Sequence, residues 1–161
     1  MIEYYKDLEK YELDGPGRKL NMKIACPLIQ DLRRSFNAKL SRKNGTFLFS
    51  HSTTLMLLLN ILGASVDPYK ITSELYGTND GDFRNFRSST LTPLAANVAF
   101  VLFECTDSHE KDKVTKKVVG FHNERPIFFK RCNNSFYCDW KRFKRIFKVI
   151  IKVSKKVYAI E

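Results

Sequence analysis

The chain has 161 residues, 43% of them hydrophobic and 28% charged, enough for one domain with a core of its own. No run reaches the ~18 uncharged apolar residues that a membrane-spanning helix needs, and the opening stretch MIEYYKDLEKYELDGPGRK holds no apolar signal-peptide segment. The net charge of +11 sits almost wholly in the tail: residues 1–109 carry 13 Lys+Arg against 12 Asp+Glu, and residues 110–161 carry 15 against 5. Basic charge without a recognition fold does not point to nucleic acid.

Residues 3–13 read as a short polar helix closed by Gly15-Pro16-Gly17. The next helix is expected over 22–41, where Ile24, Leu28, Leu32, Phe36 and Leu40 recur at helical spacing with Arg33, Arg34 and Lys39 outside. Pro27 belongs in a first turn, so the regular part is expected to begin near Cys26. After the turn signal Asn44-Gly45, the aromatic and aliphatic run Thr46 to Phe49 predicts a short buried strand. Ser52, Thr53 or Thr54 is then expected to cap a helix whose apolar residues, Leu55 to Leu62, run all round it, with Gly63 as its stop.

His51 thus falls between a strand's carboxyl end and a helix's amino end. Open α/β sheets bind ligands at that position, and the free N–H groups of a helix start attract anions. The plain alternative is a satisfied polar residue at a turn.

Residues 64–92 lack periodicity and read as a turn-rich surface excursion. Asn97 to Cys105, Lys113 to Phe121 and Arg125 to Phe129 are predicted strands, with Asn123 to Pro126 turning between the last two. The tail predicts an amphipathic helix over about 139–153. Trp140, Phe143, Phe147, Ile150 and Ile151 share one side, Lys141, Arg142, Lys144, Arg145, Lys148 and Lys152 the other, and no acid lies between 140 and 160. Packing of the aromatic side on the domain is the preferred reading, and peripheral contact with an anionic membrane is the alternative. One parallel-type strand followed by a meander makes an α/β domain that looks like part of a larger sheet.

Asn44-Gly45-Thr46 and Asn133-Asn134-Ser135 are glycosylation sequons, at Asn44 and Asn133. The four cysteines form an even set, and Cys132 and Cys138 are close enough in sequence to pair, while a Cys26–Cys105 pair stays open. These marks point to the secretory pathway. Set against the missing signal peptide, they predict that an amino-terminal part of the protein lies outside this chain.

Taken in order, KIACPLIQDLRR, TFLFSHSTTLMLLLNILG, FRSSTLTPLAANVAFVLFEC and VVGFHNERPIFFKRC resemble the carboxyl-terminal part of the histidine acid phosphatases. Within that family they are most like the multiple inositol polyphosphate phosphatases, and the likeness covers most of residues 15–147. The resemblance implies a partial histidine-phosphatase-like (phosphoglycerate-mutase-like) parallel-rich sheet with flanking helices, lacking the amino-terminal half, with residues 1–161 as one carboxyl-terminal piece. It implies phosphomonoester hydrolysis of inositol polyphosphates in the complete enzyme, with no cofactor or metal, in the endoplasmic reticulum lumen or outside the cell. Cys132 and Cys138 match a small cysteine loop of the family, and Arg84 and Arg87 match a basic pair that would clamp substrate phosphates. The competing reading of the two arginines is solvated loop charge.

Members of this family attack phosphorus with the histidine of an Arg-His-Gly motif, and a later His-Asp or His-Ala-Glu motif holds phosphate and protonates the leaving alcohol. The later motif here reads His51-Ser52-Thr53, so His51 matches the phosphate contact and Thr53 stands at the proton-donor position. The three histidines are His51, His109 and His122, and none follows an arginine. Covalent phosphoryl transfer needs a nucleophile, and loss of a general acid typically costs ~10²–10⁴-fold in rate. The chain alone is therefore expected to be inactive, as a fragment or as a decayed relative. A non-catalytic phosphate binder and a basic membrane- or partner-binding module are the competing functions.

Overall fold

The computed structural model describes residues 2–37, 45–106, 114–130 and 132–156. Three helices come first, α1 (Ile2–Asp14), α2 (Lys19–Asn37) and α3 (Ser52–Leu62). A connecting region follows with a 3-10 turn at Ser73–Leu75 and single helical turns α4 (Asn79–Asp82) and α5 (Ser88–Leu91). The chain then forms β1 (Val98–Thr106), β2 (Val114–His122), β3 (Arg125–Pro126) and β4 (Tyr137–Asp139), and ends in α6 (Trp140–Lys156).

Helix α2 starts earlier than its proline suggests, and Pro27 lies inside it. A mid-helix proline removes one hydrogen bond and costs about 3 kcal/mol. Apolar burial on both sides of the break offsets that cost: Ala25 and Cys26 before it and Ile29 after it are buried, while Pro27 faces outward. The Asn21 amide donates to the carbonyls of Leu13 and Gly15, both at 3.1 Å, and so fixes the α1–α2 turn.

The sheet is antiparallel throughout the described residues. Strand β1 pairs with β2 from Val98↔His122 to Thr106↔Val114. On the other edge of β2, β3 pairs at Phe121↔Pro126 and β4 at Val118↔Cys138. This corrects the expected parallel-rich sheet, because a parallel strand requires a neighbour running in the same direction and no described segment supplies one. It also corrects the strand expected at Thr46–Phe49: residues 45–50 join no sheet, and Phe47 and Phe49 are 85% and 96% exposed. Apolar content nominated this segment, but a strand needs a partner for its backbone groups. Of the strand expected over 125–129, only Arg125–Pro126 pairs with β2, and Phe129 instead bridges Ser135.

Helix α6 packs on β2 and α2, and α2 packs on α3. Its aromatic side is buried, with Trp140, Phe143 and Phe147 all inside. Phe143 meets the rings of Phe100, Phe129 and Phe147 at 6.0, 5.8 and 4.4 Å, edge to face, the geometry that aromatic quadrupoles favour. The terminal-helix reading therefore holds for these residues. Gly120 on β2 makes room for this cluster, since a Cβ there would lie 2.9 Å from Cζ of Phe129.

The region 64–92 is more than a surface excursion. Ile71, Phe86 and Leu91 are buried. The buried Asp67 carboxylate accepts from the backbone N–H of Asn85 (2.6 Å), the Asn85 amide (2.9 Å) and the N–H of Phe86 (3.0 Å). Irregular backbone can enter a core only when its N–H groups find acceptors, and one carboxylate serves three donors here. Among the described residues, no helix is long and apolar enough to cross a membrane.

Candidate functional site

Helix α3 is apolar on nearly every side, and Met56, Leu57, Leu58, Leu59 and Leu62 are buried. Gly63 ends it at φ 75°, with its N–H on the Asn60 carbonyl and the Ala64 N–H on that of Leu59. That paired closure is the Schellman pattern, which needs a left-handed residue. The helix is thus anchored along its length and at its far end, and its first turn is left at the surface.

His51, rather than Ser52, Thr53 or Thr54, is the N-cap residue. Its backbone is extended (φ −88°, ψ 162°) and its side chain caps nothing. Its carbonyl accepts the first helical bond, from Leu55 N–H at 3.3 Å. Among the described residues nothing accepts from the N–H groups of Ser52, Thr53 and Thr54. An uncapped start leaves such donors unsatisfied and concentrates the positive end of the helix dipole on them. The imidazole of His51 is exposed beside them. One exposed imidazole and three free N–H donors can together receive a tetrahedral oxyanion.

The Thr53 hydroxyl points back into the fold, donating to Oδ2 of Asp14 at 3.4 Å. The same carboxylate oxygen lies 3.4 Å from Nζ of Lys10. The Asn60 amide donates to the Asp14 carbonyl at 2.6 Å and accepts from the Ser65 hydroxyl at 2.6 Å. A carboxylate from the end of α1 is therefore tied to Thr53, the residue expected at the acid position. Asp14 was not singled out from the sequence, because the contact joins residues 39 positions apart. Its only local sign was a polar residue next to Gly15.

Arg84 and Arg87 lie apart from this turn in partnerships of their own. Arg84 is buried, ion-paired with the fully buried Asp7, bonded to the Gly81 carbonyl and stacked 4.7 Å from the Tyr4 ring centroid. Arg87 holds both carboxylate oxygens of Glu3, at 3.0 and 3.1 Å. Either would have to exchange a protein carboxylate for substrate. His122 contacts the Leu91 carbonyl through Nε2 at 2.7 Å, joining β2 to α5. His109 and Asn44 lie outside the described residues.

A disulfide joins Cys132 to Cys138 with Cα atoms 5.3 Å apart, whereas Cys26 and Cys105 remain thiols. Asn133 is exposed in the disulfide loop at φ 58°, a left-handed conformation that asparagine tolerates better than most residues. No group of three metal-ligating side chains occurs among the described residues.

A family model described as the histidine phosphatase superfamily (branch 2) matches residues 1–120. Multiple inositol polyphosphate phosphatase 1 of Homo sapiens is 29% identical over 151 residues, covering 88% of this chain and 30% of that protein. The protein of the same name from Drosophila melanogaster is 30% identical over 150 residues (93% and 30%), and that from Dictyostelium discoideum is 26% identical over 196 (91% and 30%). The chain spans about a third of the length of these curated relatives. No solved structure gives a significant match.

Proposed function

The chain belongs to branch 2 of the histidine phosphatase superfamily, and on that premise we propose that it supplies the phosphate-holding part of a phosphomonoesterase site. His51 contacts the substrate phosphate, and the free N–H groups of Ser52, Thr53 and Thr54 donate hydrogen bonds to its oxygens. The complete protein hydrolyses phosphomonoesters of the inositol polyphosphate type, as the names of its relatives suggest. The observation that carries this reading is the uncapped start of α3, where an exposed histidine adjoins three unsatisfied donors on a helix fixed by the core.

The 161 residues by themselves bind but do not turn over. They hold no Arg-His-Gly nucleophile, and Thr53 has no acidity near neutral pH. The carboxylate tied to it, Asp14, is already engaged by Thr53 and Lys10. The Cys132–Cys138 disulfide supports an oxidising compartment, in keeping with a secretory protein glycosylated at Asn133 and Asn44. The non-catalytic alternative differs only in whether a longer form of the protein contributes a nucleophile.

Calorimetric titration with inorganic phosphate tests the reading. Saturable binding that falls at least tenfold in His51→Ala is expected, with no release of phosphate from inositol hexakisphosphate. Hydrolysis abolished by His51→Ala would mean that another residue of this chain acts as nucleophile. Phosphate binding equal in the two proteins would remove His51 from the site.

A further inference from the structure

On α6, Lys141, Lys144, Arg145 and Lys148 stand at i, i+3, i+4 and i+7, a spacing that puts them on one face. Helix α2 packs beside α6 and adds Arg33 to the same place. An open groove of about 390 Å³ lies between them, lined by Arg33, Lys141, Lys144, Arg145 and Lys148. Every lining residue is a cation.

The nearby carboxylates do not neutralise them. Asp31 is paired with Arg34 at 2.7 Å, and Asp139 accepts from the backbone N–H of Lys141 at 2.9 Å as a helix cap. Among the described residues, no carboxylate lies within 4.0 Å of a charged nitrogen of the five lining residues. Like charges at i, i+3 and i, i+4 repel. Lys141 also lies in the first turn of its helix, where the dipole disfavours cations and favours anions. Burial of Trp140, Phe143 and Phe147 on the adjoining face holds these cations on a fixed element, and Nζ of Lys144 stacks 5.2 Å from the Trp140 ring centroid.

We infer that the α2–α6 groove is a binding site for small anions carrying two or more phosphate groups, separate from the site at His51. Five cations exceed what one phosphate balances, and the planar guanidinium forks of Arg33 and Arg145 suit bidentate contact with phosphate oxygens. His51 is not among its lining residues, so the inference does not depend on the function proposed above.

The whole chain titrated with tripolyphosphate tests this. One equivalent is expected to bind at the groove, beside any bound at the His51 turn, with an affinity that falls as salt rises. Arg33→Gln with Arg145→Gln should weaken binding at the groove at least tenfold, and His51→Ala should remove only what binds at its own turn. The double variant should melt no lower than the parent in the absence of ligand, because it removes repulsion. Vesicles of phosphatidylcholine with and without phosphatidylinositol bisphosphate identify the source. Bisphosphate-dependent binding displaced by tripolyphosphate assigns a lipid headgroup, and vesicles that fail to bind assign a free polyphosphate. Undiminished tripolyphosphate affinity at the groove in the double variant, loss of that affinity in His51→Ala, or the absence of saturable binding would each overturn the inference.

Discussion

Asp7→Asn isolates a buried ion pair that ties α1 to the 84–88 segment. Asp7 is 0% exposed and Arg84 7%. The carboxylate accepts from the Ser88 backbone N–H at 2.8 Å, the Ser88 hydroxyl at 2.6 Å and a guanidinium nitrogen of Arg84. Asparagine keeps the volume and one acceptor for Ser88, so the change is chiefly the loss of charge opposite Arg84. Nε of Arg84 is already buried without a partner, and the guanidinium has little else to turn to. Breaking a buried pair from one side costs about 3–5 kcal/mol. With a urea slope of about 2 kcal/mol/M, a loss of about 4 kcal/mol lowers the midpoint by about 2 M. Combining Asp7→Asn with Arg84→Met removes the orphaned charge and should recover at least half of that loss. Urea melts followed by far-ultraviolet circular dichroism report both values. A midpoint within about 0.4 M of the parent for Asp7→Asn, less than about 1 kcal/mol, would refute the assignment of Arg84 as a structural residue.

Reducing the Cys132–Cys138 bridge, or replacing both cysteines by serine, should cost about 2 kcal/mol, the closure entropy of so short a loop, measured as the difference between melts with and without reductant. Glu3 titrates below its ordinary value near 4.5 because the Ser89 hydroxyl and then Arg87 hydrogen-bond its carboxylate. Its contribution to stability is complete above about pH 4.5 and lost as pH falls through the lowered value, so Glu3→Gln should flatten acid melts in that window and no other. Phe47→Ser with Phe49→Ser should change stability by less than about 0.5 kcal/mol, as for surface positions, because both rings face solvent; a larger loss in thermal melts would mean that the segment packs.

The elements with a strong internal period were legible in the sequence. The apolar residues of α3, the nine-residue runs of β1 and β2 and the alternating faces of α6 each carry their signal within one segment. What was not legible depends on partners distant in sequence. Thr46–Phe49 has the composition of a strand, yet strand formation is settled by a neighbour, and the described residues contain none for it. The start of α2 was displaced because Pro27 is a strong local signal, whereas burial of Ala25, Cys26 and Ile29 is a tertiary one. Asp67 holds the backbone N–H groups of Asn85 and Phe86 across about eighteen residues and so seats Phe86 in the core, a contact that no local pattern announces. At the candidate site, His51 and the hydroxyl run were visible as a motif. The Thr53–Asp14 contact and the pairing of Arg84 with Asp7 required the folded chain.

The account stands on the start of α3 as an anion site, and nuclear magnetic resonance reads that directly. Inorganic phosphate is titrated into the ¹⁵N-labelled chain while the backbone N–H signals of Ser52, Thr53 and Thr54 and the ring of His51 are followed. All four should move together along one saturating curve, with the N–H protons shifting downfield as they gain a charged acceptor, and His51→Ala should weaken the curve at least tenfold. Signals at 52–54 that stay fixed, while those of Lys141 to Lys148 shift, would contradict it and leave the basic groove as the chain's phosphate site.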